Sequence, residues 1–198
     1  MKAALDEMGT LPPSLFKDQS EFEETFKGVR ELYVDGSEVS VNRSQANDLQ
    51  RFNFSGKKKD HTLKVNIISD GMKLIRYLGK LWNGKTHDKK IFDQELEHIS
   101  FEGKISHFDL GYYGVKKEEK GGLIMIPNKK PKGKELTEME KEENRFLASI
   151  RVRVEHAIGG LKRYYILKIK NRFHFNRKTY DSLQICAGLW NFKLITNS

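Results

Sequence analysis

Three acidic residues, Asp35, Asp109 and Glu155, stand where a carboxylate can take part in phosphoryl chemistry. Asp35 lies inside ELYVDGSEVSV (31–41), whose alternation and β-branched residues predict a strand. An Asp in mid-strand is disfavoured, and burying its charge is costly unless it is paired or coordinates a metal. A solvent-facing carboxylate fits the same position. Asp109 ends the short predicted strand GKISHFD and precedes the turn LGYYG. Turn capping and ligand presentation at a strand end both suit it. Glu155 belongs to SIRVRVEHAIGGLKR (149–163), where Val152 and Val154 alternate as in a strand, whereas Arg151, Glu155, Ile158 and Lys162 share one face of a helix. On that helix its default partner is Arg151, an i,i+4 pair worth ~0.2–0.5 kcal/mol.

Together the three acids permit more than each does alone. Two divalent ions about 3.5–4 Å apart can activate a nucleophile and stabilise a leaving oxygen, and hard ions such as Mg²⁺ take carboxylate oxygens and water. Zinc fits less well, because one Cys and six His form no tight ligand set. His87 beside Asp88, and His156 beside Glu155, are candidates to orient metal-bound groups from behind. The glycines of GGLIMI and GYYG do not make a phosphate-cradling loop.

The elements around these acids can be read from pattern. Residues 1–30 are an approach segment: Pro12-Pro13 halts regular structure and QSEFEETFKG predicts a short helix ending near Gly28. NRSQANDLQRFNFSGKKKD reads as a polar loop closing on Lys57, Lys58 and Lys59. HTLKVNIISD and KLIRYLGKLW read as a hairpin joined through Asp70-Gly71. THDKKIFDQELEHIS is a helix with Thr86 as its expected cap and an apolar stripe of Ile91, Phe92, Leu96 and Ile99. GGLIMIP (121–127) suits a buried strand. Thr137 followed by Glu140 is a capping-box signature, so a long helix from there carries Glu155. Gly159 and Gly160 each cost such a helix ~1 kcal/mol, which predicts a bend or a close approach just beyond Glu155. A final helix covers 179–195. Strands followed by overlying helices indicate a mixed α/β layer architecture.

Bulk properties narrow the classes. At 198 residues, with 12 Phe, 7 Tyr and 2 Trp, the chain can fill one core. It holds no run of 18 apolar residues and no secretory leader pattern. The single Cys186 sits in an apolar run, which fits a buried thiol in a reducing compartment. The net charge of +9 is uneven: from residue 140 onward there are 12 Lys and Arg against 5 Asp and Glu. A basic C-terminal half favours a polyanion. Trp82 and Tyr164-Tyr165 suit core packing better than base stacking.

The blocks VDGSE (34–38), GKKKDHTLK (56–64), THDKKIFD (86–93), DLGYYG (109–114) and PNKKPKGKELTEMEKEENRFLASIRVRVEHAIGGLKR, in this order, resemble the catalytic domain of DDE-superfamily insertion-sequence transposases. The likeness runs from about residue 12 to 195. It implies a ribonuclease-H-like fold over 31–198, with Asp35, Asp109 and Glu155 as the catalytic and metal-binding triad for two Mg²⁺ or Mn²⁺ ions. Family members nick element ends with activated water and then use the freed 3′-hydroxyl to attack target DNA. They also carry a Tyr, Arg, Glu, Lys signature; Arg151, Glu155 and Lys162 occupy its places, and Ala148 stands where the Tyr is usual.

The resemblance implies double-stranded DNA as partner, a homo-oligomer joining two ends, and a DNA-associated protein in the cytoplasm of a bacterial-type cell. Arg151, Lys162, Arg163, Lys57, Lys58, Lys59, Lys129 and Lys130 are the expected phosphate contacts. Relatives carry an end-binding domain ahead of the core. Residues 1–30 are too short and acidic for one, so a separately encoded domain, a fragment of a longer chain, or a decayed element are the expected explanations. The second class of function is a catalytically silent relic that binds DNA or regulates transposition.

Overall fold

A computed structural model describes residues 1–115, 120–172 and 176–197. Its helices are α1 (Lys2–Glu7), α2 (Gln19–Thr25), α3 (Asn47–Asn53), α4 (Asp88–Leu96), α5 (Glu138–Leu161) and α6 (Asn176–Thr196). Its strands are β1 (Glu31–Ser40), β2 (Phe54–Ser55), β3 (Asp60–Asp70), β4 (Ile75–Leu78), β5 (Trp82–Asn83), β6 (Ile105–Phe108) and β7 (Leu123–Met125). The sheet runs β2-β3-β1-β6-β7, with β4 and β5 also paired to β3. Pairing is antiparallel for β1–β3 and parallel for β1–β6 and β6–β7. This mixed sheet between helices is the expected ribonuclease-H-like α/β arrangement.

Two apolar clusters occupy the two faces. One gathers Phe16, Phe22 and Phe26 from the first 30 residues with Val34, Ile68, Phe92 and Phe108; the other sets Val65, Ile67 and Leu78 against Ala157, Leu161, Leu183 and Trp190. The N-terminal segment therefore contributes side chains to the same core as β1. Cys186 is buried as expected, and burial pushes its thiol up to about 11.

Several elements depart from their sequence patterns. The supposed loop 42–60 contains α3 and β2; α3 buries none of its residues, so it has no apolar stripe to announce it. The β3–β4 connection is not a two-residue turn at Asp70-Gly71. Asp70 Oδ1 instead accepts from the Met72 and Leu74 amides, and Lys73 takes the left-handed conformation at φ 69°. The second strand of that hairpin breaks into β4 and β5. Thr86 does not cap α4: His87 holds the cap position without a side-chain hydrogen bond. The α4 stripe of Ile91, Phe92 and Leu96 is fully buried as predicted. β7 is an edge strand with Leu123 exposed rather than a buried one.

The ambiguous stretch 149–163 is helical. Thr137 and Glu140 close a reciprocal capping box, and α5 then runs unbroken through Glu155 to Leu161. The helical twist buries Val154 and leaves Val152 exposed, so the RVRV alternation is incidental. Gly160 supplies the close approach: a Cβ there would enter the Trp190 ring of α6, whereas Gly159 faces open space.

Candidate active site

Asp35 and Asp109 meet because of strand register. In the parallel β1–β6 pair Glu31 faces Ile105 and Val34 faces Phe108, so Asp35 is the next residue of β1 and Asp109 the first residue past β6. Arg151, one turn before Glu155 on α5, reaches across both: its guanidinium lies 3.0 Å from Asp109 Oδ1 and 3.8 Å from Asp35 Oδ2. The Asp35 side chain is 22% exposed. Burial pushes its carboxyl up to about 6, with Asp109 and Asp88 adding repulsion; Arg151 and the Gly36 amide pull it down.

Asp88 is the third acid of this neighbourhood. A Cβ on Gly36 would lie 3.0 Å from Asp88 Oδ1, and one on Gly111 would lie 2.7 Å from Oδ2. The glycines of VDG and DLG thus clear the space that the Asp88 carboxylate fills. Lys64 Nζ pairs with Asp88 Oδ1 at 3.0 Å, lies 3.9 Å from Glu38 Oε1, and donates to the Thr86 carbonyl at 2.8 Å.

Glu155 is not gathered with the two aspartates. It is exposed on α5, and among the described residues no three His, Cys, Asp or Glu side chains lie close enough to hold one ion. Asp88 nearby is held by Lys64, and the two acids that are brought together, Asp35 and Asp109, offer only carboxylate oxygen. That fits a hard divalent cation, and the Arg151 guanidinium already places positive charge between the two carboxylates.

The expected phosphate contacts divide. Lys162 lies within the electrostatic reach of Lys57, Lys58, Glu38 and Asp35, and its ammonium is pushed down, first by burial and then by Lys58. Lys57, Lys58, Lys59 and Arg163 are exposed. Lys129 lies over the Tyr113 ring at 5.1 Å, just past Asp109 in the chain, whereas Lys130 pairs with Glu135. Arg151 is occupied by the aspartates. His87 and His156 are exposed. Trp82 donates to Glu95 as a packed residue, but Tyr165 is exposed, against expectation.

Sequence reasoning missed Lys64 and Glu95. Lys64 interrupts the apolar run of β3, and a lysine at such a position is the signal that a buried acid awaits it. Glu95 falls one turn after Ile91, on the buried stripe of α4.

A ribonuclease-H-like sheet that presents two aspartates side by side, just past the last pair of its parallel β1–β6 ladder, defines an acid-site domain of that fold. The chain belongs to the DDE superfamily endonucleases, a family that matches residues 34–191. It is 35% identical over 164 residues to the probable transposase for insertion sequence element IS702 of Microchaete diplosiphon, covering 82% of this chain and 57% of that protein. The chain therefore spans less than two thirds of that relative's length. No solved structure matches it.

Proposed function

We propose that this chain is a DNA transposase catalytic domain, which nicks element ends by metal-dependent phosphoryl transfer and then joins the freed 3′-hydroxyl to target DNA. The observation that carries this reading is the Asp35–Asp109 pair, set side by side by strand register and shared by one arginine in a DDE-family chain. Asp35 and Asp109 would hold two Mg²⁺ or Mn²⁺ ions, with Glu155, carried by α5 one turn beyond Arg151, as the third ligand that the family resemblance implies; the chemistry such ions supply is to activate water and to stabilise the leaving oxygen. In the first step water bonds to phosphorus and the 3′-oxygen leaves as a hydroxyl. In the second that hydroxyl bonds to a target phosphorus and displaces a target 3′-oxygen.

The protein's part is positioning. Lys64 fixes Asp88 against Gly36 and Gly111, and Asp88 keeps the turn after Asp109 close to β1. Arg151 offsets the charge of the two acids until ions do so, and then offers a charge-assisted contact to a phosphate beside the scissile bond. Lys162 with Lys57, Lys58 and Lys59 extends that contact along the backbone, giving salt-sensitive and largely sequence-independent affinity. Double-stranded DNA and a homo-oligomer bridging two ends complete the reading, with the protein DNA-associated in the cytoplasm.

A second reading, a catalytically silent relic that binds DNA, is favoured by the exposed Glu155 and by Ala148 at the usual Tyr position. Purified chain incubated with Mn²⁺ and a plasmid carrying the element ends separates the two. Nicking that disappears in Asp35→Asn, Asp109→Asn and Glu155→Gln supports the transposase; nicking that survives all three substitutions refutes it. Salt-sensitive DNA binding without nicking or metal uptake favours the relic.

A further inference from the structure

A second cationic site lies away from the aspartates. The excursion between β1 and β3 folds α3 and β2 into one wall of a wide, solvent-open cavity of about 710 Å³, and Lys85, after β5, forms the other. Arg43, Arg51 and Lys85 line it, with Gln50, His61 and Phe54; among the described residues no carboxylate lines it. Arg43 Nε donates to Gln50 Oε1 at 2.7 Å, which ties the 43–46 connection to α3. The Lys85 amide donates to the Phe52 carbonyl, joining the two walls.

The aromatic content is equally specific. Phe54 sits opposite His61 in the β2–β3 ladder, with the ring centroids 5.7 Å apart at 70°. His61 buttresses the Phe54 ring at an angle, and Phe54 keeps 42% of its surface exposed. A large apolar ring held in solvent beside three cations, in a cavity with no acid among its described lining residues, is poorly explained by folding alone. It has the two components that bind unpaired nucleotides: a stacking platform and cations for the phosphates. A cavity of this size holds a mononucleotide unit.

The location connects it to the proposed reaction. Gly56 lines the cavity and adjoins Lys57, which, with Lys58, acts on Lys162 beside Asp35. Ser40, opposite Thr62 and so next to the cavity residue His61, is about 17 Å along β1 from Asp35 at 3.3 Å per residue.

We infer that this cavity is a subsite for an unpaired nucleotide of a DNA strand, with its base stacked on Phe54 and its phosphates on Arg43, Arg51 and Lys85. The inference rests on the reading of the chain as a DNA-acting protein, and its ligand is single-stranded where the main substrate is duplex. A strand opened or frayed near a nick supplies such a nucleotide.

Fluorescence anisotropy of the full chain in the presence of a chelator tests this. The probes are a short fluorescein-labelled oligothymidylate, an abasic deoxyribose-phosphate strand of equal length, and a duplex of equal length. The oligothymidylate binds about tenfold tighter than the abasic strand; Phe54→Ala removes that difference and Phe54→Trp retains it. Arg51→Gln and Lys85→Gln weaken both single strands and lower the salt slope by about one each.

Equal weakening of both strands by Phe54→Ala, or no weakening, overturns the subsite. Duplex binding as tight as oligothymidylate through the same residues also overturns it. Asp35→Asn keeps the base-dependent difference. Absent nicking with that difference intact counts against the nuclease reading alone, and nicking without it counts against the subsite alone.

Discussion

Two carboxylates packed against the same sheet, Glu95 on α4 and the half-buried Asp35 on β1, have opposite surroundings. Glu95 is 4% exposed and collects three donors: the Lys80 amide and Trp82 Nε1 at 2.7 Å each and the Tyr77 hydroxyl at 3.2 Å. Burial pushes its carboxyl up while Trp82, Lys80 and Tyr77 pull it back. Asp35 is more open, accepts one amide hydrogen bond, from Gly36 at 2.7 Å, and faces like charge from Asp109 and Asp88. The lone pairs of Glu95 are spent on neutral donors that tie β4, β5 and α4 together. Those of Asp35 are left for something else. A buried acid satisfied by neutral donors is a structural part, and one crowded by other acids is a site.

That contrast can be broken at several points. The largest effect is on chemistry: Asp35→Asn or Asp109→Asn lowers the initial rate of metal-dependent plasmid nicking by about a thousandfold or more, since several kcal/mol of charge stabilisation is lost. Glu95→Gln, assayed well below its melting temperature, leaves that rate within about threefold. Equal rate losses from the two changes would erase the distinction.

Stability reverses the order. Glu95→Ala strands three donors and costs about 3 kcal/mol in urea denaturation, whereas Asp109→Asn costs under about 1 kcal/mol.

The pH dependence separates them further. Because the folded Asp35 carboxyl sits at about 6 rather than 3.8, its neutral form is favoured by folding. That contribution is complete below pH 3.8 and is lost as pH rises through about 6. In metal-free protein Asp35→Asn therefore raises stability above pH 6 by about 1–3 kcal/mol and has little effect near pH 3. Thermal melts at the two pH values read the difference directly. Added Mg²⁺ reverses the ranking by stabilising the wild type alone.

The smallest effects fall on glycines that both carboxylates need as neighbours. A Cβ at Gly79 runs into the carboxylate of Glu95, which cannot yield without losing its donors, so Gly79→Ala costs about 1–3 kcal/mol. Gly36→Ala meets Asp88 Oδ1 at 3.0 Å on a side chain that is 29% exposed and can shift. It costs less than about 1 kcal/mol while lowering nicking about tenfold. Matching stability losses in the two variants would deny Asp88 its positioning role.

Much of this was legible in the sequence. The capping box at Thr137, the buried stripe of α4 and the strand around Asp35 follow from local pattern, because each is a short-range relation among neighbouring residues. The breaks in the second hairpin strand and the placing of Lys73 in the turn do not, because they depend on Glu95 reaching Gly79 and on Asp70 capturing two amides. Helix α3 was hidden for want of a buried face. At the site, local pattern suffices to name Asp35 and Asp109 as candidates, whereas the pairing of Arg151 with both and of Lys64 with Asp88 leaves no local signal. Their partners lie 116 and 24 residues away in sequence, counting Arg151 to Asp35 and Lys64 to Asp88.

The β1–β6 ladder acts as a vernier. Main-chain hydrogen bonds, which are blind to side-chain identity, set how far apart the two aspartates stand. Residues 31–34 and 105–108 can therefore change type with modest consequence, provided that Leu32, Val34 and Phe108 stay apolar and that the buried Ser106 and His107 keep small or matched partners. Loss or gain of one residue in either run is a different kind of event. It moves one acid by about 3.3 Å and turns it to the other face of the sheet. In this short parallel pair, reading-frame-preserving insertions and deletions are the lesions that separate a folded protein from a working one.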